Sequence, residues 1–167
     1  MSLDLGGMGK EYAVDQVTTL ARQLGVQGAL VDFGADIRVV GMPGDGRGGW
    51  HVGLEDPFLP GKAWCGLAVR ESAVASSGDY LRKFEINGRR YGHIIDVRTG
   101  YPVDNGCIAC SVLAPSCTLA GMLSTAGFVL GPQEGIRLID LQMGAAGIVI
   151  GKDKKYESKR FYEYTTR

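Results

Sequence analysis

Four stretches of the sequence hold residues whose types and spacing suit them to chemistry. The first is LGGMGKEY, where Gly6, Gly7 and Gly9 run into a helical pattern that begins near Lys10. Glycines at a helix start leave backbone N–H groups accessible, the helix dipole favours an anion there, and Lys10 adds positive charge. Phosphate binding is the chemistry this predicts; a plain flexible start is the alternative. The stretch is not a P-loop, because Asp4 stands where the first glycine belongs and Glu11 where Ser or Thr would meet magnesium. It is not a dinucleotide fingerprint either, since no apolar strand precedes it and Tyr12 takes the third glycine's place.

The second stretch, GADIRVVG, puts Asp36 on a glycine-flanked turn, where it either binds a hydroxyl or caps the turn. The third, GHIIDVRTGYPVDN, gathers His93, Asp96, Arg98, Thr99 and Asp104 in one loop-like run. Arginine clamps phosphates and histidine moves protons near neutral pH. A surface pair of Asp96 with Arg98 and a solvent-facing His93 form the structural alternative. In the fourth, SCTLAGMLSTAG, Gly121 and Thr125 share a helix face at i, i+4, while Ser124 and Thr125 in mid-helix are as often structural.

Four cysteines occur, two of them as Cys107-x-x-Cys110. A zinc site calls for a second close pair or a nearby histidine, and His51 and His93 are isolated. CIACSVL reads as a strand, which points Cys107 and Cys110 to opposite faces and predicts packed, unreactive thiols.

These stretches must be held by a scaffold. With 167 residues the chain is expected to form one domain, residues 1–167, with a sizeable core. Eighteen basic and 18 acidic residues give a net charge of zero, which argues against a non-specific nucleic-acid binder. No 18-residue apolar run exists, so no membrane span is expected. Glycine is abundant, 26 of 167 residues, roughly twice the usual share. The glycines cluster, as at tight turns or where backbone approaches a ligand.

Apolar residues from Ala13 through Val14, Val17, Leu20 and Ala21 to Leu24 recur at helical spacing, with Gly25 as the stop. GALVDFG, IRVVG and WHVGLEDP read as strands, and AWCGLAVRESAVASS as two more. Asn87-Gly88 between two runs predicts a hairpin. A second helix fits Ser116 to Leu130, capped by Ser116 or Thr118, and Pro132 opens a third through Leu141. GAAGIVIG is a strand, and the tail is one edge strand or a hairpin. The sum is an α+β fold, a mostly antiparallel sheet with about three helices.

In this order the four stretches resemble the C-terminal part of the ApbE-type FAD:protein FMN transferases, a family once linked to thiamine biosynthesis. The resemblance runs through LDLGGMGKEYAVD, GADIRVVG, WHVGLEDP, ASSGDYLRKFEINGRRYGHIIDVRTGYPV and LAGMLSTAGFVLGP, nearly the whole chain. It implies an ApbE-like domain lacking the family's N-terminal portion, from truncation, a split gene or a fragment. It further implies binding of FAD and magnesium and transfer of FMN to a Ser or Thr hydroxyl of a target flavoprotein. Position by position, Gly7, Gly9 and Lys10 then line the FAD phosphates. Asp36 sits at the flavin site, with Arg98 and Thr99 in a further cofactor-binding loop. His93 helps deprotonate the acceptor hydroxyl, and the Gly9 carbonyl and Thr125 hydroxyl ligate the metal. The family's usual setting implies a bacterial periplasm or cell envelope.

The departures from that pattern carry their own expectations. Gly121 stands where the family has a metal-ligating Asp, which weakens the metal clamp. Ala35 replaces a turn Gly, Val97 replaces a Pro, and Glu11 replaces a Gly beside Lys10. Either Glu11 or Asp104 is then the candidate to compensate as metal ligand. A non-catalytic flavin- or partner-binding relative is the alternative function.

Overall fold

A computed structural model of the chain describes residues 5–80 and 83–166. Leu3 and Asp4 of the LDLGG stretch, and Leu81 and Arg82 ahead of the hairpin, lie outside the described residues.

The first helix, α1, spans Gly9–Gln23. Its buried face is Glu11, Val14, Asp15 and Thr18, spaced 3, 4 and 7 apart as a helix requires. Of the apolar stripe read from the sequence Val14 faces the core and Ala13 and Ala21 are half-buried, but Val17, Leu20 and Leu24 are exposed. The inner face is polar because it meets a helix N-terminus and a cluster of charged side chains, described below.

Strands β1 (Gly28–Asp32) and β2 (Ile37–Gly41) form a hairpin. Next come β3 (Trp50–Asp56), β4 (Leu59–Val69) and β5 (Ala73–Gly78), then the Asn87-Gly88 hairpin of β6 (Lys83–Ile86) and β7 (Arg89–Gly92). Both turn residues have positive φ, 51° and 75°, as a two-residue hairpin of this type demands. The short pair β8 (Ile95–Asp96) and β9 (Tyr101–Pro102) orders the loop that holds Arg98 and Thr99. Strand β10 (Cys107–Ala114) leads into α2 (Cys117–Leu130) and α3 (Pro132–Leu141), followed by β11 (Ala146–Gly151), β12 (Lys155–Glu157) and β13 (Thr165–Thr166).

Six strands form one sheet in the order β1-β2-β5-β10-β11-β12, and three form another, β13-β4-β3. Every pairing among the described residues is antiparallel. The tail is thus neither a single edge strand nor a hairpin. Its strands β12 and β13 close different sheets, and Phe161 between them is buried in the core that the sheets share.

Three layers result. Val39, Leu67, Val69, Leu113 and Ile148 pack between the two sheets. On the other face of the larger sheet, Val112 and Val149 meet Leu123 and Phe128 of α2 and Ile139 of α3. Small residues let α1 close on α2 and β5, where Val14 packs with Ala73, Ala75 and Ala120. Helices α2 and α3 touch through glycines: a Cβ on Gly135 would stand 2.6 Å from the Gly127 carbonyl oxygen.

The cysteines correct one expectation. Cys107 and Cys110 do not face opposite ways; both pack in the cluster beneath α2 and α3. Cys107 pairs with Gly151 and Ala109 with Ile150, so one extra residue is inserted in β10, and this bulge turns Cys107 to the helix side. All four thiols are free, and burial pushes the Cys107 thiol up to about 12 and Cys110 well above the usual range. Among the described residues no helix is long and apolar enough to cross a membrane.

Candidate functional site

The glycine stretch and α2 meet at Thr125. Gly7 has φ +79°, in the region that favours glycine, and a Cβ there would lie 3.1 Å from Thr125 Oγ1. Two restrictions on residue 7, conformation and space, therefore have one cause: the turn lies against the threonine hydroxyl. That hydroxyl is 3.0 Å from Ser77 Oγ on β5, and Ser77 Oγ is 2.9 Å from Ser124 Oγ. Ser124 donates to the Gly121 carbonyl at 3.0 Å and is buried, which makes it structural. Ser77 lies 48 residues from Thr125 in sequence, and no spacing pattern signals the contact.

Behind the turn lies a charged cluster. Lys10 Nζ sits 2.6 Å from Asp36 Oδ2 and donates to the Gly34 carbonyl at 3.1 Å. Asp36 is buried at the β1–β2 turn, where Phe33 N donates to its carbonyl at 3.0 Å and Ala35 N donates to Asp32 Oδ1 at 2.8 Å. Asp36 is therefore both a turn residue and an ion-pair partner. Burial pushes its carboxyl above the usual aspartate range; Lys10 pulls it down and the neighbouring Glu11 carboxylate pushes it up.

Glu11 is only 6% exposed, and its Oε2 has no hydrogen-bond partner among the described residues. Its side chain fills the space beside Gly121, where a Cβ would stand 2.6 Å from Glu11 Cγ and 2.9 Å from Oε1. A carboxylate thus lies against α2 at position 121, but it comes from α1.

Asp15 joins these helices and had no signal in the sequence. It accepts from the N–H groups of Cys117 and Thr118, both at 2.9 Å, from the Thr118 hydroxyl at 2.6 Å, and from Arg38 at 2.5 Å. With the Ser116 hydroxyl accepting from Leu119 N at 3.2 Å, the N-terminus of α2 is satisfied internally. Helix α1 begins at Met8, whose side chain makes no capping bond.

The other half of the site is the loop from His93 to Gly100. Asp96 accepts from Arg98 N at 2.9 Å and pairs with its guanidinium at 2.7 Å, while Thr99 and Gly100 N–H groups donate to the Asp96 carbonyl. Arg98 beside it holds the Asp96 carboxyl below the usual range. Arg98 and Thr99 are exposed, and His93 is exposed where it precedes this wall. Ile94, Val97 and Arg98 line an apolar cleft of about 410 Å³ whose opposite wall is Thr125, Ala126 and Val129 of α2. Thr125 belongs to both halves, to the glycine turn and to the cleft. Asp104 follows the β8–β9 pair in the chain. Its neighbour Asn105 donates to the carbonyls of Phe128 and Val129, at the far end of α2 from Gly121.

The fold and site define a class: an α+β protein of antiparallel sheets with a polar glycine turn at a helix start, facing an apolar cleft across a threonine hydroxyl. The model of the ApbE family matches residues 1–149, and the chain belongs to that family. It is 34% identical over 159 residues to the FAD:protein FMN transferase of Haemophilus influenzae, covering 94% of this chain and 46% of that protein. It is 37% identical over 163 residues to that of Treponema pallidum, covering 93% and 45%. The solved ApbE protein of Thermotoga maritima superposes with a TM-score of 0.88 at 32% identity, covering 99% of this chain and 54% of that one. The chain spans about half the length of the relatives it matches.

Proposed function

We propose that residues 1–167 act as a single ApbE-like domain that binds FAD with magnesium and transfers FMN to a Ser or Thr hydroxyl of a target protein. The observation that carries this reading is the convergence at Thr125 of the Gly7 turn and the apolar cleft walled by Arg98. A dinucleotide needs both halves: backbone and cations for its phosphates, and an apolar slot for a ring. The names of the relatives, FAD:protein FMN transferases, supply the ligand and reaction.

Magnesium fits the donors present. It takes oxygen ligands, usually one or two carboxylates completed by substrate phosphates. Thr125 Oγ1, the main chain at Gly9 and one buried carboxylate meet that description, and among the described residues no cluster of three His, Cys, Asp or Glu suggests another metal. When bound, the cation withdraws charge from the pyrophosphate oxygens.

The side chains have separate tasks in this reading. Gly7 keeps the backbone close to the phosphates. Lys10, its Nζ oriented by Asp36 and the Gly34 carbonyl, neutralises phosphate charge. Arg98, aligned by Asp96, and Thr99 hold the ligand from the loop side. The acceptor hydroxyl oxygen forms a bond to the FMN phosphorus, the pyrophosphate bond to AMP breaks, and His93 takes the hydroxyl proton.

The test is AMP release from FAD with added magnesium and an acceptor peptide that carries a Ser or Thr hydroxyl. The reading predicts cation-dependent release, cut about 10²–10⁴-fold by His93→Ala with FAD binding retained. Equal loss of binding and turnover in that variant would show that His93 shapes the cleft instead. One observation favours a second reading: Gly121 offers no side chain to a metal. FAD bound without AMP release would make the domain a non-catalytic flavin binder.

A further inference from the structure

The Glu11 carboxylate is a costly feature that the fold does not use. It is 6% exposed, Oε2 has no hydrogen-bond partner among the described residues, and the neighbouring Asp36 carboxyl both repels it and lies within hydrogen-bonding reach of it. A buried carboxylate oxygen left without a donor is costly, and two adjoining carboxyl groups add to the cost. Lys10 does not relieve it, since its ammonium is engaged with Asp36 and the Gly34 carbonyl. The stem of Glu11 fills the space beside Gly121, but that packing does not need its charge. A carboxylate oxygen kept in such a place is suited to a cation that is not a side chain.

Its position says which one. Glu11 Oε1 lies 2.9 Å from where a Cβ on Gly121 would stand, and Thr125 is one helical turn further along that face of α2. The Thr125 hydroxyl in turn lies against Gly7, at the mouth of the same turn. A carboxylate from α1 and a hydroxyl from α2 thus lie about one helical turn apart along the same face of α2. The resemblance implies an Asp at 121. A side chain there and the present Glu11 cannot coexist, because the first carbon of one overlaps the second side-chain carbon of the other at 2.6 Å. The Glu at 11 and the Gly at 121 are therefore sterically matched: the room that Gly121 leaves is the room that Glu11 takes.

We propose that Glu11 is the carboxylate ligand of a divalent cation in this protein, supplied from α1 in place of one from α2, with the Thr125 hydroxyl as its partner. This rests on the flavin-site reading for the role of the cation but not for its binding. Asp104 is set aside by its place at the other end of α2.

The test is Mn²⁺ binding to the full chain, read from the loss of the free-ion signal in electron paramagnetic resonance, with and without FAD. Groups that only orient a metal's ligands are worth about 10–100-fold in affinity, so removal of a direct carboxylate in Glu11→Gln is expected to weaken Mn²⁺ at least about tenfold. The double variant Glu11→Gly/Gly121→Asp moves the carboxylate back to α2 and is expected to regain binding. Thermal melting guards against misfolding. Without cation, Glu11→Gln melts at or above the temperature of the unaltered chain, because an unpaired buried charge is gone. The rise in Tm that Mn²⁺ gives the unaltered chain disappears in it. Unchanged Mn²⁺ affinity in Glu11→Gln, or no Mn²⁺ binding by the unaltered chain even with FAD, overturns the assignment. If Mn²⁺ binds through Glu11 while FAD does not bind, the cation site stands and the flavin reading falls. If FAD binds and Glu11→Gln holds Mn²⁺ unchanged, the reverse is true.

Discussion

Asp15 shows how much one side chain does here. It closes the N-terminus of α2 through two backbone N–H groups and a hydroxyl, and it pairs with Arg38 of β2. Asp15→Ala leaves those donors and a mostly buried guanidinium unanswered, at a cost of roughly 3 kcal/mol in chemical denaturation. Burial pushes the Asp15 carboxyl up, but the bonds from Thr118, Cys117 and Arg38 together outweigh it, and the carboxyl titrates below 3.8. A depressed acid contributes its stability above its unfolded value and loses it as pH falls through the folded one. The chain is therefore expected to lose stability below pH 3.8 more steeply than Asp15→Asn, measured by denaturant midpoints across that range. None of this was legible in the sequence, because Arg38 is 23 residues from Asp15, Cys117 and Thr118 are 102 and 103 residues from it, and an Asp in mid-helix carries no signal of its own. Thr125, Asp36 and the glycine turn were legible through their order along the chain. Ser77 was not, and the conflict between Glu11 and Gly121 appears only when both helices are placed.

Among the elements, those with strong local rules were readable. The Asn87-Gly88 hairpin, the Ser116 cap of α2 and the opening of α3 at Pro132 stand where the sequence puts them. Elements set by long-range pairing were less so. Strands β8 and β9 have two residues each, too short for any period, and β13 belongs to a sheet remote from its chain neighbour β12. Helix α1 was found and Val14 of its apolar stripe faces inward, but Val17, Leu20 and Leu24 do not, since the rest of its buried side is set by polar partners. Two glycine questions belong to this scale. Ala35 occupies φ 68° in the β1–β2 turn, so Ala35→Gly is expected to stabilise by up to about 1 kcal/mol, seen as a higher Tm. Gly135 meets the backbone of Gly127, which cannot swing away as a side chain would. Gly135→Ala should therefore push α3 off α2 and cost about 1–3 kcal/mol by the same assay.

For the whole molecule, composition excluded more than it specified. Zero net charge and ordinary hydropathy left the field to the arrangement of a few residues. Two antiparallel sheets and a helical layer hold the α1 start, the middle of α2 and the β8–β9 loop around one space. That space, polar on the glycine side and apolar on the loop side, is the basis for reading the protein as a flavin-dinucleotide binder. The most direct measurement is a titration of the chain with FAD, following flavin fluorescence with and without magnesium. The account predicts saturable binding that tightens when the cation is added, and that weakens when Thr125→Val removes the hydroxyl shared by the two halves. Absence of saturable FAD binding in both conditions would contradict it.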